Sequence, residues 1–181
     1  MENKKEEEEP IMEEVKDSTL KDDQLLLDKA NKVARTYMYW SMGAGLIPVP
    51  VLDVATVSGV QLKMLSELAK IYDVKFSENL GKSIIGALVG GITADALSRS
   101  TITSWFKSIP FIGVLGALSM PIFSGATTWA LGKVFIQHFA TGGTFLNFDP
   151  KKVKDYFAEM YKQGEEMAKN MKASATAGAA K

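Results

Sequence analysis

The stretch Ile109-Pro-Phe-Ile-Gly-Val-Leu-Gly-Ala-Leu-Ser-Met-Pro121-Ile-Phe-Ser-Gly-Ala-Thr-Thr-Trp129-Ala-Leu-Gly132 runs for 24 residues without a charge, between Lys107 and Lys133. About 20 apolar residues suffice to cross a bilayer as one helix. A proline at the midpoint and a cation on each flank suit another path, in which the chain dips in and returns on the same side. A second block shares the layout. From Thr36 to Leu62, between Arg35 and Lys63, only Asp53 is charged, and Pro48 and Pro50 interrupt it. The expected fold is therefore an all-α helical bundle with two Pro-interrupted apolar helical hairpins. Pro48, Pro50 and Pro121 mark the bends, and Trp40 and Trp129 are the aromatic residues of the insertion.

The totals exclude several classes of function. The chain has 181 residues, a formal net charge of zero and a pI near 6.6, so no global field recruits nucleic acid. It contains no cysteine, which removes disulfides, thiolate catalysis and cysteine-based metal sites. Charge is strongly segregated. Residues 1–35 hold eleven acids and seven bases, whereas 36–145 hold only twelve charges in all. The N-terminal Met-Glu-Asn-Lys-Lys, followed by Glu6 to Glu9, lacks the apolar core of a signal peptide. Contact with a membrane is thus expected through the middle of the chain, from the cytoplasmic side.

Residues 1–17 read as a disordered acidic tail. An apolar helical core domain is expected over 18–148, an amphipathic helix over 149–172 and a flexible tail over 173–181. Ser18 or Thr19 can cap the first helix, in which Leu20, Leu27, Ala30, Val33, Ala34 and Tyr37 recur at helical spacing. This helix leads into Tyr37, Tyr39 and Trp40, placed either as membrane-interface aromatics or as packed rings at a helix end. Pro50 opens the next helix, with Asp53 in its first turn, and Ser77 caps a third.

The third helix, about 78–103, repeats Gly86, Gly90, Ala94 and Ser98 every four residues, a smooth ridge for close helix packing. The glycines and alanines of the 109–132 run are expected to face this ridge. In the last helix Val153, Phe157, Met160, Gly164, Met167 and Met171 form one apolar stripe. It serves either the chain's own core or a partner, so Val153, Phe157, Met160, Met167 and Met171 are candidate partner-binding residues.

No catalytic residues, metal ligands or cofactor sites emerge. His138 in Phe135-Ile-Gln-His-Phe-Ala has no acid or second histidine nearby and reads as a packed side chain. Gly81-Lys82-Ser83 lacks the upstream glycine and strand of a phosphate loop. Asp53 falls on the apolar face with Val57, Val60 and Met64, and Gln61 is a second buried polar candidate. The amides of its own helix start can satisfy Asp53; an ion-handling carboxylate is the alternative.

The segments Gly45-Leu-Ile-Pro-Val-Pro-Val-Leu-Asp53, Gln61-Leu-Lys-Met64 and Ala69-Lys-Ile-Tyr72 are followed by Ile109-Pro-Phe-Ile-Gly113 and Gly125-Ala-Thr-Thr-Trp-Ala-Leu-Gly132-Lys133. In this order and spacing the chain resembles the bacterial domain of unknown function 697, over roughly 35–148. The resemblance implies a helical, membrane-associated segment without an established reaction, often fused to or encoded beside Ras-like GTPase domains. This sequence departs from the fused members in containing no GTPase of its own, which leaves open a partner that supplies it. The reading expected from sequence is a non-enzymatic scaffold or anchor at the cytoplasmic membrane, with cytoplasmic termini and self-association. A soluble oligomeric bundle is the alternative, followed by a pore subunit using Asp53.

Overall fold

The computed structural model describes residues 8–44, 50–98 and 114–179, with side chains described for 20–43, 57–90, 120–171 and 173–174. Five helices follow in order: α1 Glu8–Ala44, α2 Pro50–Ile71, α3 Glu78–Ser98, α4 Val114–Ala140 and α5 Lys154–Ala179. No strand occurs among the described residues, as the absence of alternating sequence requires.

α1 starts well before the cap predicted at Ser18 or Thr19. Residues 8–17 belong to the helix, not to a disordered tail. Pro10 occupies the first turn, where a backbone N–H would lack a helical partner anyway. Residues 1–7 and Pro48 lie outside the described residues. Pro50 is the first residue of α2, the position where its fixed φ suits a helix.

α2 and α4 end in the same way. Val74 N–H donates to the Ala69 carbonyl at 2.7 Å, and Asp73 supplies the left-handed residue, with φ 52°. After α4, Gly143 N–H donates to the His138 carbonyl at 2.8 Å, and Gly142 takes φ 80°. Both are Schellman-type closures that satisfy carbonyls left open at a helix end.

α4 is the central helix. It packs on α1 and α5 most extensively and also on α2, while α3 touches α2 and only lightly α5. Asn31 meets Lys133, Ala34 meets Gly132 and Met42 meets Gly125, so α1 and α4 run antiparallel. Around Phe135, a cluster of Phe139, Phe145 and Phe148 closes one end of the bundle, with Phe135 and Phe148 stacked at 4.8 Å.

Two expectations change. Pro121 does not bend the chain into a hairpin; it lies buried inside α4. Its ring removes only the bond to the Ala117 carbonyl, a local loss that packing on α1 and α5 outweighs. Among the described residues no helix is long and apolar enough to cross a membrane. The serines, threonines and glycines of α4 lower its hydropathy, and most of its described apolar side chains are spent on neighbouring helices.

Candidate functional site

Buried polar groups converge where α1, α2 and α4 meet. Gln61 Nε2 donates to Thr128 Oγ1 at 3.2 Å and to Thr127 Oγ1 at 3.4 Å. Thr128 Oγ1 donates to Ser41 Oγ at 2.7 Å, and Thr127 Oγ1 to the Phe123 carbonyl at 2.9 Å. Ser41, Gln61, Ser124, Thr127 and Thr128 are all buried. Such groups persist in a core only when paired, because an unpaired one costs about 1–3 kcal/mol. A carboxamide and hydroxyls titrate nowhere near neutral pH, so the cluster supplies neither acid nor base. Its effect is to fix the register of three helices.

Gln61 thus has a defined place. Asp53 lies in the first turn of α2, about two turns before Gln61, and its side chain is outside the described residues.

Close approach of α4 to its neighbours depends on glycines other than the predicted ones. Gly86 and Gly90 are exposed, and a Cβ at either would meet nothing within 4 Å; the side chain of Ala94 lies outside the described residues. Gly125 and Gly132, two turns apart on α4, press on α1 instead, against Met42 and Ala34. Gly164 of α5 meets the Cα of Ala126 and the Cβ of Trp129, so a Cβ there would stand 3.0 Å from each. Gly125 and Gly132 of the charge-free run therefore face α1, not the ridge on α3, while Gly113 and the surroundings of Gly116 lie outside the described residues.

The two predicted insertion tryptophans separate. Trp129 is buried between α4 and α5, with Lys133 Nζ 5.5 Å from its ring centroid. Trp40 is 68% exposed, and its neighbour Tyr39 is 43% exposed. Among the described residues Met120, near the start of α4, is exposed as well. The stripe on α5 turns inward: Phe157 and Met160 are buried, and Val153 and Met167 pack against the core. Met171 is half-buried. Phe157 and Met160 are therefore unavailable to a partner in this fold.

Three polar contacts escaped the sequence reading. Tyr37 donates to Glu67 Oε1 at 2.6 Å across α1 and α2. Burial first, then the hydrogen bond and charge of Glu67, hold the Tyr37 phenol well above its usual range. Lys133 donates to Asn31 Oδ1 at 2.8 Å, and burial pushes its ammonium pKa down. His138 Nε2 lies 2.9 Å from the Thr144 carbonyl, donating in the tautomer that carries its proton there. His138 also sits edge-on to Phe148 at 4.9 Å. Among the described residues no group of histidine and acidic side chains could hold a metal ion.

The family described as domain of unknown function 697 matches residues 12–166 of this chain. Magnetosome membrane protein 22 of Magnetospirillum gryphiswaldense is 34% identical over 151 residues, which cover 83% of this chain and 77% of that protein. No solved structure matches the chain.

Proposed function

The chain belongs to the domain of unknown function 697 family, and on that premise we propose that it is a non-enzymatic, membrane-associated helical protein acting as a scaffold or partner module. The observation that carries this reading is the exposure of Trp40 and Tyr39 near the C-terminal end of α1. Aromatic rings with a polar edge favour the headgroup level of a bilayer. A relative named as a membrane protein supports the same reading.

The membrane in question is the cytoplasmic one, met from its inner side with both termini in the cytoplasm. The partner class implied by the family, a Ras-like GTPase, would use the acidic first half of α1, since the α5 stripe is occupied internally. Flotation of the purified full chain with phospholipid vesicles tests the reading. The wild type is expected to rise with the vesicles, and Tyr39→Ala/Trp40→Ala to rise several-fold less. A wild type that stays at the bottom of the gradient overturns it.

A further inference from the structure

α1 is divided by charge. From Glu8 to Asp28 it carries eight acids and two lysines; from Lys29 to Ala44 it carries Lys29, Lys32 and Arg35 and no acid. At 100° per residue, Lys29, Lys32, Arg35, Thr36, Tyr39 and Trp40 fall within an arc of about 140°. All six are exposed, whereas Ala30, Ala34, Met38 and Ser41 form the buried side. Three cations and two aromatic rings thus share one outward face, with the rings at the bundle's apolar end. Asp28 ends the acidic half at the edge of this face. Across a shallow groove, Glu67 is engaged by Tyr37, and the exposed Lys63 and Lys70 of α2 add further positive charge.

We propose that this face of α1, from Lys29 to Trp40, docks on the headgroups of anionic phospholipids, Lys29, Lys32 and Arg35 contacting phosphates while Tyr39 and Trp40 enter the interface. The inference rests on the membrane reading above and adds the lipid class and the binding face. Charge complementarity supports it: anionic leaflets attract basic segments next to interfacial aromatics, and each cation near the surface strengthens binding about fivefold. The acidic first half of α1 is repelled by the same surface, so the docked helix meets the bilayer by its C-terminal half alone.

The test measures binding of the full chain to vesicles of phosphatidylcholine alone and of phosphatidylcholine with phosphatidylglycerol. The wild type is expected to prefer the anionic vesicles strongly, with affinity falling as salt shortens the screening length. Lys29→Glu/Lys32→Glu/Arg35→Glu is expected to weaken that binding at least a hundredfold. The same charge change at exposed lysines elsewhere, Lys151→Glu/Lys152→Glu/Lys162→Glu, is expected to cost far less. Should the triple reversal disturb the fold by circular dichroism, Lys29→Gln/Lys32→Gln/Arg35→Gln replaces it, with about a hundredfold loss expected. Equal binding to both vesicle types, or equal loss in the two charge-reversed proteins, overturns headgroup docking and leaves the membrane reading standing. Absence of binding to either vesicle removes both.

Discussion

Gly132 of α4 lies so close to Ala34 of α1 that a Cβ on residue 132 would stand 2.7 Å from the Ala34 Cβ and 3.3 Å from the Met64 sulfur. Gly132→Ala would gain about 1 kcal/mol of helix propensity. It would also force two helix backbones apart, at a cost of about 1–3 kcal/mol. The Ala34 Cα, 3.5 Å from the same point, cannot rotate away as a long side chain could. The net expectation is a lower melting temperature, by a few degrees, in thermal denaturation followed by circular dichroism. An unchanged or raised midpoint would show that the α1–α4 contact yields more easily than its geometry implies.

Gly86→Ala should act with the opposite sign. Nothing stands within 4 Å of the added methyl, so the unfolded chain loses conformational freedom and the folded one loses no contact. A gain of about 0.5–1 kcal/mol in urea denaturation is expected. A loss would mean that another surface occupies this face of α3.

The hydroxyl of Thr128 links Gln61 to Ser41. Thr128→Val keeps the shape and deletes both bonds, leaving buried Gln61 short of an acceptor, at an expected cost of about 1–3 kcal/mol. Gln61→Leu in that background removes the stranded amide. The double variant should therefore be more stable than the sum of the two single losses predicts, as a denaturation cycle would reveal. Strict additivity would show that the two groups do not interact.

High pH should unfold the bundle through its tyrosines. In the folded chain, burial raises Tyr37, Tyr72, Tyr156 and Tyr161. Neighbouring acids add to it, Glu67 at Tyr37, Glu159 at Tyr156 and Glu165 at Tyr161. A phenol whose folded pKa exceeds its unfolded value of about 10 stabilises the fold fully below that pH. The contribution is lost as pH climbs from there towards the folded value. Stability measured from pH 8 to 12 should hold level and then fall above about pH 10. Tyr161→Phe should shallow that fall more than Tyr156→Phe, because Tyr161 is buried at the Phe123 edge while Tyr156 is only partly covered.

Helix identity was legible because apolar spacing, proline at the start of α2 and small residues after α4 are local signals. The path of the chain at Pro121 was not. A proline deletes one hydrogen bond, and whether the helix continues depends on what packs around it, here α1 and α5. The glycine ridge misled for a similar reason. Regular spacing at Gly86 and Gly90 shows that a smooth strip exists, but only the partner helix decides which strip is used. Gly125 and Gly132 carried an equally readable signal, two glycines a heptad apart in a run that also holds Thr127 and Thr128. Gln61 was picked out as buried and polar, yet its partners lie 66 and 67 residues away, beyond any local pattern.

The charge division of α1 has a mechanical consequence. Over 37 residues the helix is about 55 Å long, and its two halves carry opposite net sign. A rigid rod of that kind feels a torque in any field normal to a charged surface, in a sense set by the sign of that surface. Facing an anionic bilayer, as proposed above, the acidic half would swing outward and the basic half inward before a single contact formed. Under that proposal the charge division sets the angle of arrival, turning the molecule to present Trp40 first.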